Sequence, residues 1–280
     1  MIQLGSDKNG WRRFYCVICG HVEWVAPGQA LPGDYECPLC EAPRSAMLAM
    51  DDPRLARHQV AFEGIAPAVW QVSKRPLFRP DFNHYAYLLA HPQGLILYDA
   101  PPLVTDEAIE TILAIGKPRM LIVSHTDFVG LAGDWAEALG IPSVMGEGDA
   151  PLKGNRFTPS ERVGGSLRLA GDLEVRRVPG HSRGSLALYW RGAPAGNVLC
   201  AGDAITVWHH TDGRVQLTFF QPPPAGREIT ELAGRDVGLL LSCGGYLRNA
   251  HAHLQKLIAL DENCARPWRG DTGGVWLERV

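Results

Sequence analysis

LILYDAPPLVTDEAIETILAIGKPRMLIVSHTDFVG, residues 95 to 130, reads as strand, helix, strand, and it closes on a polar cluster. LILYDA is a short apolar run, DEAIETILAI is helical, and MLIVSH has the look of a buried strand. Working upstream, HYAYLLA turns at HPQG and pairs with LILYDA as a hairpin. Working downstream, DWAEALG is a helix ended by Gly140 and IPSVMGE is a short strand, so the region steps forward in βαβ units. The second half repeats the mixture. LRLAG, LEVRRVPGHS, SLALYW and NVLCAGDAI read as strands, and REITELAGRDVG and LRNAHAHLQKLIAL as helical stretches. That order predicts a layered α/β domain with mixed sheets. QPPPAG is the one turn-like tract, and no internal repeat is visible.

The chain has 280 residues, 46% of them hydrophobic and 20% charged, with a net charge of −3. This is a globular composition able to bury a core. Interspersed charge of nearly neutral sum gives no basic stripe for phosphate, so nucleic acid is not an expected partner. No apolar run approaches the ~20 residues that cross a bilayer, and the first residues lack a signal-peptide core, so we expect a cytoplasmic protein without a membrane partner. Seven cysteines, four of them in two C-x-x-C pairs, fit metal ligation in a reducing compartment better than disulfides.

The two pairs lie in YCVICG (Cys16, Cys19) and YECPLC (Cys37, Cys40), with seventeen residues between Cys19 and Cys37. Each knuckle can offer two thiolates to one tetrahedral ion. Gly20 can turn backbone amides towards the sulfurs, and Pro38 stiffens the second knuckle. Spacing alone also allows a structural zinc ribbon. With Tyr15, Gly20, His21, Trp24, Tyr35 and the Cys-Pro-x-Cys pair, however, residues 11 to 47 resemble a rubredoxin, with the short inter-knuckle loop of rubrerythrins. The resemblance implies iron, with zinc as the alternative, and single-electron transfer. Glu41 stands where that family usually has glycine.

Four further segments, LILYDAP with Asp99, SHTDFVG with His125 and Asp127, VPGHSRGS with His181, and LCAGDAI with Asp203, fall in the order of the metallo-β-lactamase fold. The resemblance covers residues 66 to 260. It implies an αββα sandwich carrying a small N-terminal rubredoxin-like domain, with residues 1–50 as the metal module, 51–65 as a connector and 66–280 as the large domain. In the family's His-x-His-x-Asp-His motif, Val123 and Phe128 occupy two histidine positions here. A third histidine is missing from SCGG at residues 242 to 245. His125, Asp127, His181 and Asp203 remain, enough for at most one ion. The two histidines read equally well as polar caps of a site that has lost its chemistry. Asp99 is expected to hold a loop through backbone hydrogen bonds, and Cys243 to be buried filler. Adjacent His209 and His210 should point apart, His251 and His253 do not share a helix face, and His84 and His91 read as strand and turn residues.

Three functions follow as expectations. In the first, His125, His181 and Asp203 hold one iron with open positions, the tetracysteine centre feeds it electrons from a redox partner protein or reductase, and Asp127 orients a ligand or water. In the second, the same three residues hold one iron or zinc for hydrolysis of an ester, thioester or lactone, with Asp127 as general base. In the third, the large domain is a docking platform without catalysis. The small-molecule substrate is not legible.

Overall fold

A computed structural model describes residues 10–76, 84–152, 154–220, 226–262 and 274–277; the tract at 221–225 lies outside them. The tetracysteine region forms a three-stranded antiparallel sheet from β1 (Arg12–Cys16), β2 (Val22–Val25) and β3 (Met47–Ala49), in the order β2-β1-β3. A seven-stranded sheet follows, built from β4 (Gln59–Ala66), β5 (Val69–Arg75), β6 (Ala86–His91), β7 (Gly94–Tyr98), β8 (Pro118–Val123), β9 (Ser143–Gly146) and β10 (Glu161–Val163) in reverse sequence order. Helices α1 (Asp106–Ile115) and α2 (Ala132–Leu139) connect β7 to β8 and β8 to β9, which run parallel. The second sheet has the order β11-β12-β13-β14-β17-β18, from β11 (Ser166–Arg168), β12 (Leu173–Arg177), β13 (Leu186–Trp190), β14 (Val198–Gly202), β17 (Leu239–Ser242) and β18 (Gly245–Arg248). A small sheet of β15 (Ile205–His209), β16 (Val215–Phe219) and β19 (Val275–Leu277), with α3 (Arg227–Ala233) and α4 (His251–Glu262), completes the described residues.

Period-two alternation assigns side chains to layers. On β7 and β8, Ile96, Tyr98 and Ile122 enter the core between the two large sheets, whereas Leu97, Leu121 and Val123 face the helical side. Leu186, Leu188 and Trp190 of β13 meet the first set, and Ala187 and Tyr189 turn to the core under α3 and α4. The result is helices, sheet, sheet, helices. Helix α1 begins where the Thr105 hydroxyl accepts the Ala108 N–H at 3.1 Å, and α2 ends at Gly140 in the left-handed region (φ 62°).

The stretch expected as a connector holds more structure than that. After a 3-10 turn at Pro53–Arg57, β4 starts at Gln59 and pairs along β5 as the outer strand of the large sheet. The polar pattern there reflects an edge strand with one wet face, not a linker. The tetracysteine region also shares its core with α1 and α2: Phe14, Tyr15, Val22 and Met47 belong to one cluster with Leu88, Leu97, Ile112 and Trp135. A half-buried Arg13–Asp134 ion pair at 2.5 Å and a Trp24 N–H to Gly154 carbonyl bond at 2.8 Å fasten it further. No helix among the described residues is long and apolar enough to cross a membrane.

Candidate metal centres and the cleft between them

The two cysteine knuckles are built alike. Gly20 N–H donates to the Cys16 carbonyl and Glu41 N–H to the Cys37 carbonyl, both at 2.9 Å; Cys16 N–H bonds the His21 carbonyl and Cys37 N–H that of Ala42. Gly20 has φ 81° and Glu41 φ 57°. Glu41 therefore takes the left-handed turn that suits glycine, at a cost of roughly 1–2 kcal/mol, and the second knuckle keeps the shape of the first. The sulfurs approach to 3.7 Å (Cys16–Cys40) and 3.5 Å (Cys19–Cys37), and all four lie within 4.8 Å of one another. A tetrahedral ion with arms of about 2.3 Å needs edges of about 3.8 Å, so the cage fits one ion. Crowding makes the thiols share protons: the Cys19 thiol, then Cys37, lowers Cys16 to about 7, while Cys16 and its neighbours hold the Cys19 proton on. A bound cation replaces those protons.

The second cluster gathers where strands end. His125 follows β8 and opens the 3-10 turn Thr126–Phe128 that carries Asp127. His181 lies between β12 and β13, and Asp203 between β14 and β15. Carboxyl ends of parallel strands are the usual seat of sites in open α/β sheets, and β7, β8 and β14 each contribute here. The two sheets close tightly at this end. Gly202, with φ 56°, lies so near Ser124 that a Cβ would come within 2.9 Å of the serine Cβ. Leu186 N–H donates to the Ser124 carbonyl at 2.6 Å, and the Tyr98 hydroxyl to the Leu186 carbonyl at 2.7 Å.

His125 Nε2 stands 3.3 Å from Asp203 Oδ2 and 3.7 Å from Asp127 Oδ2; His181 Nε2 stands 3.3 Å from Asp127 Oδ2 and 3.9 Å from Asp203 Oδ2. One ligand atom from each of the four lies within 4.8 Å of the others. His125 is 1% exposed. Its Nδ1 meets the Ser124 hydroxyl at 2.8 Å, and its buried Nε2 is aimed at the Asp203 and Asp127 carboxylates without a well-formed hydrogen bond to either. An imidazole fixed through one nitrogen, with the other turned to carboxylates, is arranged as a ligand. Burial opposes charge on His125, but the adjacent Asp203 carboxylate, with the Asp127 and Asp99 charges, outweighs it and raises its pKa to about 9. Burial likewise works against the Asp203 carboxylate, and His125 outweighs it, taking Asp203 down to about 2. Two imidazoles and two carboxylates suit one iron or zinc.

Asp99 holds a loop as expected: its Oδ1 accepts the Ser124 N–H at 2.7 Å, and burial pushes its pKa up to about 7. Cys243 is buried, with Sγ 4.0 Å from Asp99 Oδ2, outside the ligand cluster. Val123 points into the helical core, and Phe128 lies against the site, its ring 5.0 Å from His125. His209 bonds the Tyr246 carbonyl and His210 approaches Gln216, so they do diverge, away from the cluster. His91 meets Asp172, and His251 the Arg235 carbonyl. His84, read from sequence as a strand residue, corrects that reading. It stacks on Phe128 at 4.5 Å and 20°, and burial lowers its pKa to about 4, which keeps it neutral beside the cluster. Nothing in HYAYLLA signals this, because the contact is made across the fold.

A cleft of about 50 Å³ runs between the two centres, with Tyr15, Cys19 and Gly20 on one side and His84, Asp127 and Phe128 on the other. The approach is close: a Cβ on Gly130 would lie 3.2 Å from the Gly20 carbonyl oxygen.

No protein-family model matches the chain. It is 24% identical over 207 residues to the uncharacterized protein YmaE of Bacillus subtilis, covering 69% of this chain and 72% of that protein. It is 33% identical over 129 residues to a hydroxyacylglutathione hydrolase of Anaeromyxobacter dehalogenans, covering 44% of this chain and 46% of that enzyme. Among solved structures, a metallo-β-lactamase from Pontibacter korlensis superposes with a TM-score of 0.52 at 15% identity, over 74% of this chain and all (100%) of that one. VMB-1 does so with a TM-score of 0.52 at 14%, over 72% and 97%. The fold of the large α/β region is that of the metallo-β-lactamases, and a four-cysteine cluster precedes it.

Proposed function

We propose that the chain is a metal-dependent hydrolase of an ester, thioester or lactone, in which His125, His181 and Asp203 hold one zinc or iron and Asp127 receives the proton of the attacking water. The observation that carries this is the cluster of four ligand atoms within 4.8 Å, with the buried His125 Nε2 turned towards the Asp203 and Asp127 carboxylates. The similarity to a hydroxyacylglutathione hydrolase over part of the chain supports it. When bound, the ion supplies Lewis acidity towards a carbonyl and makes water more acidic. The protein supplies position. Ser124 fixes the His125 ring through Nδ1, His181 holds the Asp127 carboxylate 3.3 Å away, and the stacked rings of His84 and Phe128 wall one side of the cleft. The Asp127 Oδ not aimed at the histidines is the place where a proton can rest.

The test is elemental analysis and turnover of the full chain with small esters and thioesters. Asp127→Asn is expected to keep the metal and lose about 10²- to 10⁴-fold in rate, and His181→Ala to lose both. Turnover unaffected by chelation and by both substitutions refutes the reading.

A second reading is favoured by the cleft that joins the centres: the tetracysteine cage holds iron, as its rubredoxin resemblance implies, and passes single electrons to the His/Asp site. Protein from iron-replete cells is then red and bleaches on reduction, and turnover requires a reductant. A colourless protein with one tightly held zinc in the cage excludes it.

A further inference from the structure

At the end of β12 remote from His181, a cavity of about 340 Å³ opens on the second sheet. One cross-strand row runs through it: Arg168 of β11 pairs with Glu174 of β12, which pairs with Tyr189 of β13. Directly paired residues share a face, and Tyr189 belongs to the core under α3 and α4, so the row continues that face past the helices. Arg191, one residue beyond β13, and Arg235, two residues beyond α3, line the cavity as well. The carboxylates there are already engaged. Asp172 meets His91 Nε2 at 3.2 Å and the Trp190 indole N–H at 3.3 Å, and Glu174 accepts from Arg176 at 2.9 Å and from Arg235 at 3.4 Å. The guanidiniums are not. Arg168 makes no hydrogen bond or ion pair with any described residue, and Arg191 has only the Gly171 carbonyl at 3.4 Å. Each guanidinium carries five N–H donors, so the lining holds far more donors than acceptors.

We propose that this cavity binds a small phosphate monoester, held through its phosphate by Arg168, Arg191 and Arg235. Three cations against the two carboxylates of Asp172 and Glu174 leave the lining positive. Asp236 adds a charge beside Tyr189 but does not line the cavity. Charge alone accepts any anion, and the count of oxygens selects phosphate. Guanidiniums from three separate elements need three acceptor oxygens, which a phosphate monoester carries with a charge near −2 at about pH 7, whereas a carboxylate offers two. The planar fork of arginine also matches phosphate oxygens in pairs. The volume lies at the lower end of small-molecule pockets, roughly 300–1,000 Å³, so the organic part of a sugar-sized ester has room. The whole of β12, roughly 16 Å of strand, separates this cavity from the loop that carries His181. The ligand is therefore not the substrate of the His/Asp cluster, and the inference holds whatever metal that cluster binds.

The experiment is isothermal titration of the purified full chain with glucose 6-phosphate, gluconate and glucose at one fixed ionic strength. Glucose 6-phosphate should bind, gluconate about ten-fold more weakly, and glucose not measurably. Arg168→Gln and Arg191→Gln should each weaken glucose 6-phosphate by about ten-fold, the lower end for a charge-assisted hydrogen bond. Both side chains are exposed, so the melting temperature of the unliganded variants should match wild type and the loss is one of binding alone. Arg214→Gln, an exposed arginine in the turn between β15 and β16, should bind as wild type does. No binding of glucose 6-phosphate, gluconate or glucose bound as tightly, or an equal loss in Arg214→Gln overturns the proposal. So does affinity unchanged in both Arg168→Gln and Arg191→Gln, the result expected if phosphate is captured by a metal at the His/Asp cluster instead.

Discussion

Asp149 is the residue whose removal most directly tests how the His181 loop is held. It is 7% exposed; its Oδ1 accepts the Gly184 N–H at 2.7 Å and its Oδ2 the Ser182 hydroxyl at 2.6 Å. Gly184 packs so closely that a Cβ there would come within 2.8 Å of the Asp149 Cγ. In Asp149→Ala both bonds disappear. Ser182 keeps a partner in the Ser185 hydroxyl at 2.7 Å, but the Gly184 N–H is left buried and unpaired. A hydrogen bond to a charged group contributes about 1.5–3 kcal/mol, and an orphaned buried donor costs about 1–3 kcal/mol. With Ser182 compensated, the net loss should be about 3 kcal/mol. Asp149→Asn keeps a carbonyl for Gly184 and an amide that can donate to Ser182, so it should cost about 1 kcal/mol. Urea denaturation measures both, and elemental analysis should show Asp149→Ala binding less metal at the His/Asp site. A change below about 0.5 kcal/mol with unaltered metal content would refute the argument that this carboxylate positions His181.

The remaining predictions concern the two centres and their junction. Cys37→Ser should release the ion from the cage, seen as one metal fewer per chain, and lower the melting temperature of the whole chain because the cage residues share a core with α1 and α2. A double-mutant cycle on Arg13→Ala and Asp134→Ala should give a coupling energy of about 1–3 kcal/mol, as expected for a half-buried ion pair, and a value near zero would mean the pair does not fasten the cage to α2. Phe128→His together with Cys243→His should raise the metal content of the His/Asp site from one ion to two. Either substitution alone should leave it at one, which competitive zinc titration can resolve.

Much of this architecture is readable from the sequence because period and punctuation agree. DEAIETILAI forms α1 to the residue, Gly140 ends α2, and the cysteine pairs meet. His125, Asp127, His181 and Asp203 converge because each follows a strand whose apolar run marks it, so strand ends could be located without knowing their neighbours. What escaped was lateral. Strand β4 was hidden because an edge strand with one wet face lacks the apolar density of a central one, with burial running exposed, intermediate and exposed again along QVAFEGIA. His84 was hidden because stacking on Phe128 joins residues far apart in the chain. Lys74 reads in VSKR as an ordinary exposed lysine, and only the seating of the cysteine knuckle on β5 buries it.

That seating also gives the missing histidines a physical sense. Val123 and Phe128, which the sequence resemblance implies take two ligand positions of the metallo-β-lactamase motif, are on the side of the site that meets the tetracysteine region. Val123 lies in the core shared with Tyr15, Cys16 and Cys19, and Phe128 lines the cleft opposite Cys19 and Gly20. A histidine at 123 would bury a polar ring in that apolar layer, where an unpaired nitrogen is costly. A histidine at 128 would exchange an apolar wall for a polar one in the cleft and lose the Phe128 stack under His84. Gly20 also lies against Gly130, so that wall is close-packed. On that register the reduced ligand set and the packing of the tetracysteine region go together, and a second ion should require more than a histidine at 128 alone.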